Sequence, residues 1–185
     1  MVEPLQKGTG GFINPERIVE NFGLYLGMKI ADFGCGHGYF VIPMAKAVGS
    51  EGKVCAVDVQ ELALGAVRSK AASEGLFNIE YIHSNLEKEG GSKLPAASQD
   101  MVLLANTLYQ SPGKSEIMRE AGRVLKKQGI LIIIDWMEDA FTGPPRESRI
   151  SRETARTLAE AEGFRLMREF SAGEYHYGLV MAKMM

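Results

Sequence analysis

The chain has 185 residues, of which 45% are hydrophobic and 24% charged, and it carries a net charge of −2. This suits one soluble globular domain with one sizeable core. The absence of a Lys/Arg-rich block argues against a nucleic-acid binder, and the absence of about 18 consecutive apolar residues or an apolar signal core argues against a membrane span or secretion.

Residues 1–11 contain three glycines and a proline and read as a mobile tail. Asn14-Pro15-Glu16 then reads as a helix start, with Asn14 as N-cap and Pro15 at the first helical position. The helix is expected to run to about Phe22 and stop at Gly23. Residues 12–27 form this helix and a candidate lid, and 28–185 form the core. From Met28 onward, apolar runs of strand length occur at 29–33, 53–57, 79–83, 101–105 and 130–134. They lack a two-residue period, as strands buried on both faces of a parallel sheet do. Helical stretches occupy 39–48, 60–73, 115–127 and 152–162. In the third, Ile117, Met118, Ala121, Val124 and Leu125 make one apolar stripe, and Gly129 reads as its C-cap. Strand-like segments at 164–170 and 175–182 are joined by a short loop and read as a hairpin. The expected fold is an α/β, Rossmann-like three-layer αβα sandwich, a mostly parallel sheet with the last strand antiparallel.

Cys35 and Cys55 lie in apolar or glycine-rich segments and read as buried, reduced thiols. No metal-type spacing is present, so no metal site is expected, and the cytoplasm is the expected compartment.

The first strand ends in Asp32-Phe33-Gly34-Cys35-Gly36-His37-Gly38, with a helix expected at once. Glycines let the chain turn tightly and let a ligand approach, and the helix N-terminus offers free N–H groups. This is a nucleotide-type cradle at the carboxyl end of a strand. The dinucleotide pattern G-x-G-x-x-G requires glycine at position 39, where Tyr39 stands, and the phosphate loop G-x-x-x-x-G-K-[ST] is absent. Asp32 at the entrance repels a pyrophosphate and favours a ligand with a cationic amino group. Asp58, about 20 residues past the loop at the end of the second strand, can accept from both ribose hydroxyls.

On these residues the stretch 28–135 resembles a class I S-adenosylmethionine-dependent methyltransferase, in the style of the small-molecule enzymes of ubiquinone and menaquinone biosynthesis. The resemblance implies a seven-stranded sheet, S-adenosyl-L-methionine as cofactor and S-adenosyl-L-homocysteine as product. It places Asp32, Gly34, Cys35 and Gly36 around the methionine moiety, Asp58 on the ribose and Val59 against adenine. It puts Asn85 and Leu86 at the adenine edge. Asn85 departs from the commoner aspartate, though its amide carbonyl can still accept from the adenine amino group. Asn106, ending the fourth strand, borders the methyl group.

Among the remaining candidates, Asp135 is either a base or a cap for local amides. His176 is either a general base or an ordinary strand histidine, and Tyr109 is a candidate for touching substrate. His37 reads as facing solvent at the pocket mouth. The connection 137–150, with Gly143-Pro144-Pro145, reads as part of a substrate lid. The implied chemistry is in-line displacement at a sulfonium methyl, in which the protein aligns the nucleophile and excludes water. No Asn-Pro-Pro-Tyr tetrad follows the fourth strand, so a small molecule is the expected acceptor and nucleic acid is not. A homodimer is compatible with the sequence. The rivals are an NAD-dependent oxidoreductase and a non-catalytic nucleoside-binding protein on the same fold.

Overall fold

The computed structural model describes residues 13–184; the expected tail at 1–11 lies outside them, as does Phe12. Helix α1 (Pro15–Val19) starts as its sequence dictates: Asn14 Oδ1 accepts the Arg17 N–H at 3.2 Å, and Pro15 occupies the first turn. A 3-10 turn, Glu20–Phe22, continues it to Gly23, whose φ of 68° ends the segment.

The sheet comprises β1 (Lys29–Phe33), β2 (Lys53–Asp58), β3 (Ile79–His83), β4 (Gln99–Ala105), β5 (Leu125–Trp136), β6 (Phe164–Ser171) and β7 (His176–Lys183). Its order is β3-β2-β1-β4-β5-β7-β6. β7 runs antiparallel to both β5 and β6, and the other neighbouring pairs are parallel. The chain reverses beside β1, between β2 and β4, and this opens a crevice at the carboxyl ends of the strands.

Strand residues alternate between two cores. Ala31, Phe33, Val57, Val102, Leu104, Leu131 and Ile133 face one side and pack with α4 (Lys114–Val124) and α5 (Arg152–Ala161). Ile30, Val54, Ala56, Met101, Leu103, Ile132 and Ile134 face the other. There they meet α1, α2 (Val41–Val48) and α3 (Glu61–Ser73). Double-sided burial explains the continuous apolar runs.

The helix expected over 115–127 ends earlier than its pattern predicts. α4 stops at Val124, and Leu125 takes extended backbone. The carbonyls of Arg123 and Val124 accept the N–H groups of Ala97 and Ser98, and Lys126 pairs with Asp100 at 2.6 Å. These contacts draw Leu125 into the sheet opposite Gln99, so Gly129 is no C-cap and lies inside β5. The positive φ falls instead on Gln128, at 61°.

The connection 137–150 is stapled to itself. The Arg149 guanidinium donates to the carbonyls of Met137, Glu138, Ala140, Thr142 and Pro144 at 2.6–3.2 Å. Gly143 lies flat on Trp136: a Cβ there would fall 2.5 Å from the indole. One planar cation thereby organises the segment together with a single 3-10 turn, Arg146–Ser148. Arg149→Ala is expected to cost about 2 kcal/mol or more of stability. It should also open this loop to protease beside the exposed Phe141, and Arg149→Lys should recover only part of the loss. Unchanged cleavage within 137–150 would rule out the staple.

Candidate active site

The crevice at the strand ends is a groove of about 350 Å³. Its walls come from four turns: Gly34 and Gly36 after β1, Asp58 to Gln60 after β2, Ser84 to Glu87 after β3, and Thr107, Gln110 and Ser111 after β4. Asp58 joins the first two. Its Oδ2 accepts the Gly36 N–H and its Oδ1 the Gln60 N–H, each at 2.8 Å. Thr107 joins the first and last, since its hydroxyl donates to the Phe33 carbonyl at 2.8 Å.

The glycine turn is shaped by these contacts. Gly34 has φ of 77°, and a Cβ there would sit 2.7 Å from Thr107 Oγ1. Gly36, at φ 50°, has nothing within 4 Å of where its Cβ would be, so its backbone faces open space. The amides of the turn are already engaged. Gly34 and Cys35 donate to the Val57 carbonyl, Gly36 to Asp58, and Gly38 to the Cys35 carbonyl. In the first turn of the helix beyond, Ile42 N–H bonds to the Gly38 carbonyl and Pro43 has no N–H. The amides of Tyr39, Phe40 and Val41 at the helix start have no acceptor among the described residues, so the expected free N–H groups are present there, just beyond the turn.

Asp32 does not stand at the entrance. Alternation along β1 turns it to the same side as Ile30, and it is only 2% exposed. Burial foremost, and then the charge of Asp58, push its carboxyl up to about 8, with no hydrogen bond among the described residues to offset the cost. Cys35 and Cys55 are free, buried thiols held above their usual range by burial, Cys55 at about 11.

Six of the expected cofactor residues line the groove together: Gly34, Gly36, Asp58, Val59, Asn85 and Leu86. Val59 is 60% exposed, an apolar side chain presented to the ligand space. The Asn85 amide carbonyl, expected to accept from adenine, accepts the Glu87 N–H at 2.9 Å and closes a local turn, with a second lone pair still unused. Asp32, Cys35 and Asn106 are not in the groove wall. Asn106 adopts φ of 56°, and its buried Oδ1 has no hydrogen-bond partner among the described residues. Left-handed backbone in a non-glycine residue and an unpartnered buried acceptor each cost stability, and such features concentrate at ligand sites.

The three candidate catalytic residues, Asp135, His176 and Tyr109, do not line this groove. Asp135 is fully buried and acts as a cap: its oxygens accept the N–H groups of Trp136 at 2.9 Å and Tyr109 at 3.3 Å. Burial still raises it to about 6 against those bonds. Tyr109 is partly buried, and burial and then Asp135 raise its phenol. His176 lies opposite Trp136 in the sheet with ring centroids 4.0 Å apart. It is more buried than an ordinary strand histidine, at 2% exposure, and burial lowers it to about 4. Neither of its ring nitrogens has a partner among the described residues. His37 is exposed, as expected.

Sequence reasoning missed Thr107, Glu87, Gln110 and Ser111 in the wall. Thr107, Gln110 and Ser111 follow the strand end at Asn106, and Glu87 follows Leu86, so the signal was their adjacency to expected residues. Among the described residues no cluster of potential metal ligands exists, and no helix is long and apolar enough to cross a membrane.

A methyltransferase-domain family matches residues 26–172. A demethylmenaquinone methyltransferase from Geobacillus stearothermophilus is 29% identical over 126 residues, covering 68% of this chain and 53% of that protein. One from Listeria monocytogenes is 33% identical over 117 residues, covering 63% and 48%. The chain spans about half the length of these curated relatives. The crystal structure of a SAM dependent methyltransferase from Aquifex aeolicus superposes with a TM-score of 0.84 at 32% identity, covering 92% of this chain and 89% of that one.

The buried acid has a measurable consequence. Between about pH 4 and pH 8 the unfolded chain has lost the Asp32 proton that the folded chain keeps, so this group's contribution to stability falls as pH rises. Asp32→Asn removes that term. Denaturation midpoints should therefore fall less steeply from pH 5 to pH 8 in the variant than in the parent protein; parallel slopes would contradict the assignment.

Proposed function

Since this chain belongs to the class I S-adenosylmethionine-dependent methyltransferase family, we propose that it binds S-adenosylmethionine in the groove and methylates a small-molecule acceptor. The observation that carries the reading is the charge of the groove. Asp58 and Glu87 line it, and none of the lining residues is basic. Asp32 lies buried close enough to Asp58 for the two charges to interact. A dinucleotide would bring its pyrophosphate against carboxylates and against amides that are already bonded. A sulfonium nucleoside brings cations instead.

The residues fit this ligand. Gly36 leaves a gap that a side chain would close. Asp58 has acceptor capacity for ribose hydroxyls beyond its two backbone bonds. Val59 and Leu86 supply apolar surface for a base. Asn106 Oδ1 awaits a donor, as the amino group of a methionine moiety provides. S-adenosylmethionine, when bound, supplies a methyl group already activated by the positive sulfur. The protein's part is then to hold, align and keep dry.

His176 and Trp136 belong to the acceptor side in this reading, on the edge reached from Asn106 across β5. A histidine lowered to about 4 is neutral at physiological pH, so it orients an acceptor by hydrogen bonding rather than by charge. Asp135 positions the turn after β4 and is not the base. The small-molecule class follows from the net charge and the acidic groove, which a nucleic-acid backbone would resist. We place the reaction in the cytoplasm, where two free cysteines persist as thiols.

Titration calorimetry separates this function from its rivals. S-adenosylmethionine and S-adenosylhomocysteine are expected to bind and NAD is not; NAD binding with no response to either sulfur nucleoside would overturn the reading. Binding of both without turnover across acceptor classes would favour a nucleoside-binding protein. Asp58→Ala should weaken S-adenosylhomocysteine by about 10–100-fold, the loss of ~1.5–3 kcal/mol of charge-assisted bonding. An unchanged affinity would remove Asp58 from the ribose.

A further inference from the structure

One buried polar side chain has nothing to serve it, and a whole segment is built around it. His176 is 2% exposed, and both its ring nitrogens are buried without a hydrogen-bond partner among the described residues. The 137–150 segment is tied at one end to the residue before it, the Met137 N–H donating to the Tyr175 carbonyl at 2.8 Å. At the other end it is tied to the residue after it, the Tyr177 hydroxyl donating to the Ile150 carbonyl at 3.1 Å. Between those ties Gly143 rests on Trp136, whose ring centroid is 4.0 Å from that of the imidazole.

The segment is bound firmly to itself and lightly to the rest. Besides the Arg149 staple, Arg146 Nε donates to the Glu138 carbonyl at 3.1 Å. Residues 138–149 make no hydrogen bond or ion pair beyond 137–150 among the described residues. Of these residues only Ala140 is buried, and Phe141 meets the Tyr175 ring edge-on while remaining 84% exposed. Such a piece can lift without losing its shape, with Met137 and Ile150 as hinges. Shut, it leaves two unmet polar atoms in place; lifted, it lets both be met, which lowers the cost of opening.

We propose that 137–150 is a lid that opens as one piece onto His176, and that His176 is the group to which an entering molecule bonds. The imidazole offers that molecule one donor and one acceptor. That the molecule is the methyl acceptor rests on the reading above; the lid itself does not.

Access is read with diethyl pyrocarbonate, which acylates neutral imidazole, and mass spectrometry reports the three histidines separately. In the parent protein His176 should react far more slowly than the exposed His37 and His83. Gly143→Ala drives a Cβ into the indole and should raise the His176 rate about 10-fold or more. Cleavage by protease inside 137–150 should stay unchanged in that variant, because Arg149 still holds the piece together. Gly163→Ala, also at positive φ but with nothing near its Cβ, controls for general loosening and should leave the His176 rate alone. His176→Phe keeps a ring beside Trp136 without nitrogens to serve, so opening should become rarer. Acrylamide quenching of Trp136, the sole tryptophan, should then fall. A parent His176 rate matching that of His37, or one that Gly143→Ala does not move, overturns the lid. An equal rise in both glycine variants, or cleavage within 137–150 rising with the His176 rate, means loosening or piecemeal fraying and overturns it as well. Stronger quenching in His176→Phe removes the imidazole from the device. None of these measurements uses S-adenosylmethionine, so failure to bind it refutes the cofactor reading and leaves the lid standing.

Discussion

The Asp58 carboxylate accepts one backbone N–H from the turn after β1 and one from the turn after β2, and through those two bonds the crevice has its shape. Two neighbouring parallel strands diverge at their carboxyl ends into separate turns, and nothing in sheet pairing fixes how those turns face each other. A side-chain anion at the end of β2 does so, because both amides are short of partners once the ladder stops. Gly36 can then present bare backbone to the space between, and Thr107 closes the third side through the Phe33 carbonyl.

The same carboxylate sets the electrostatics. It raises the neighbouring buried Asp32 further than burial alone, so the site holds more acid than it can ionise without a cation. With the amides of Gly34, Cys35, Gly36 and Gly38 satisfied internally, the attraction of the glycine turn for phosphate is reduced. The loop geometry of a nucleotide site is retained while its charge preference is inverted.

Much of this was legible in the chain because it depends on local pattern. Strand runs, the Asn14-Pro15 helix start and the spacing from Gly34 to Asp58 all act over short stretches. What misled was whatever depends on a cross-strand partner. Lys126 looks helical until Asp100 and the carbonyl of Val124 are seen to hold β4 against it. Asp32 reads as a rim residue until strand alternation turns it into the sheet's second face. The local turn that the Asn85 oxygen closes with the Glu87 amide, two residues on, carries no motif. Glu87 gave no motif at all, since its place in the wall is fixed by Ser111 and Gly113 on another strand's turn.

The division between legible and illegible also divides the two halves of the proposed reaction. The nucleoside half is made of strand-end turns in chain order, so its chemistry survives in linear spacing. In this reading the acceptor half gathers beyond Asn106, across β5, where both His176 ring nitrogens lack partners among the described residues and Trp136 lies against the imidazole. Leaving such atoms unmet costs stability, and a neutral imidazole with Asp135 bound to amides is a poor base. The cost is recovered only when a ligand supplies the missing bonds. That combination suits an acceptor whose nucleophile is held and desolvated against an activated methyl, and it gives little help to one that must first lose a tightly held proton.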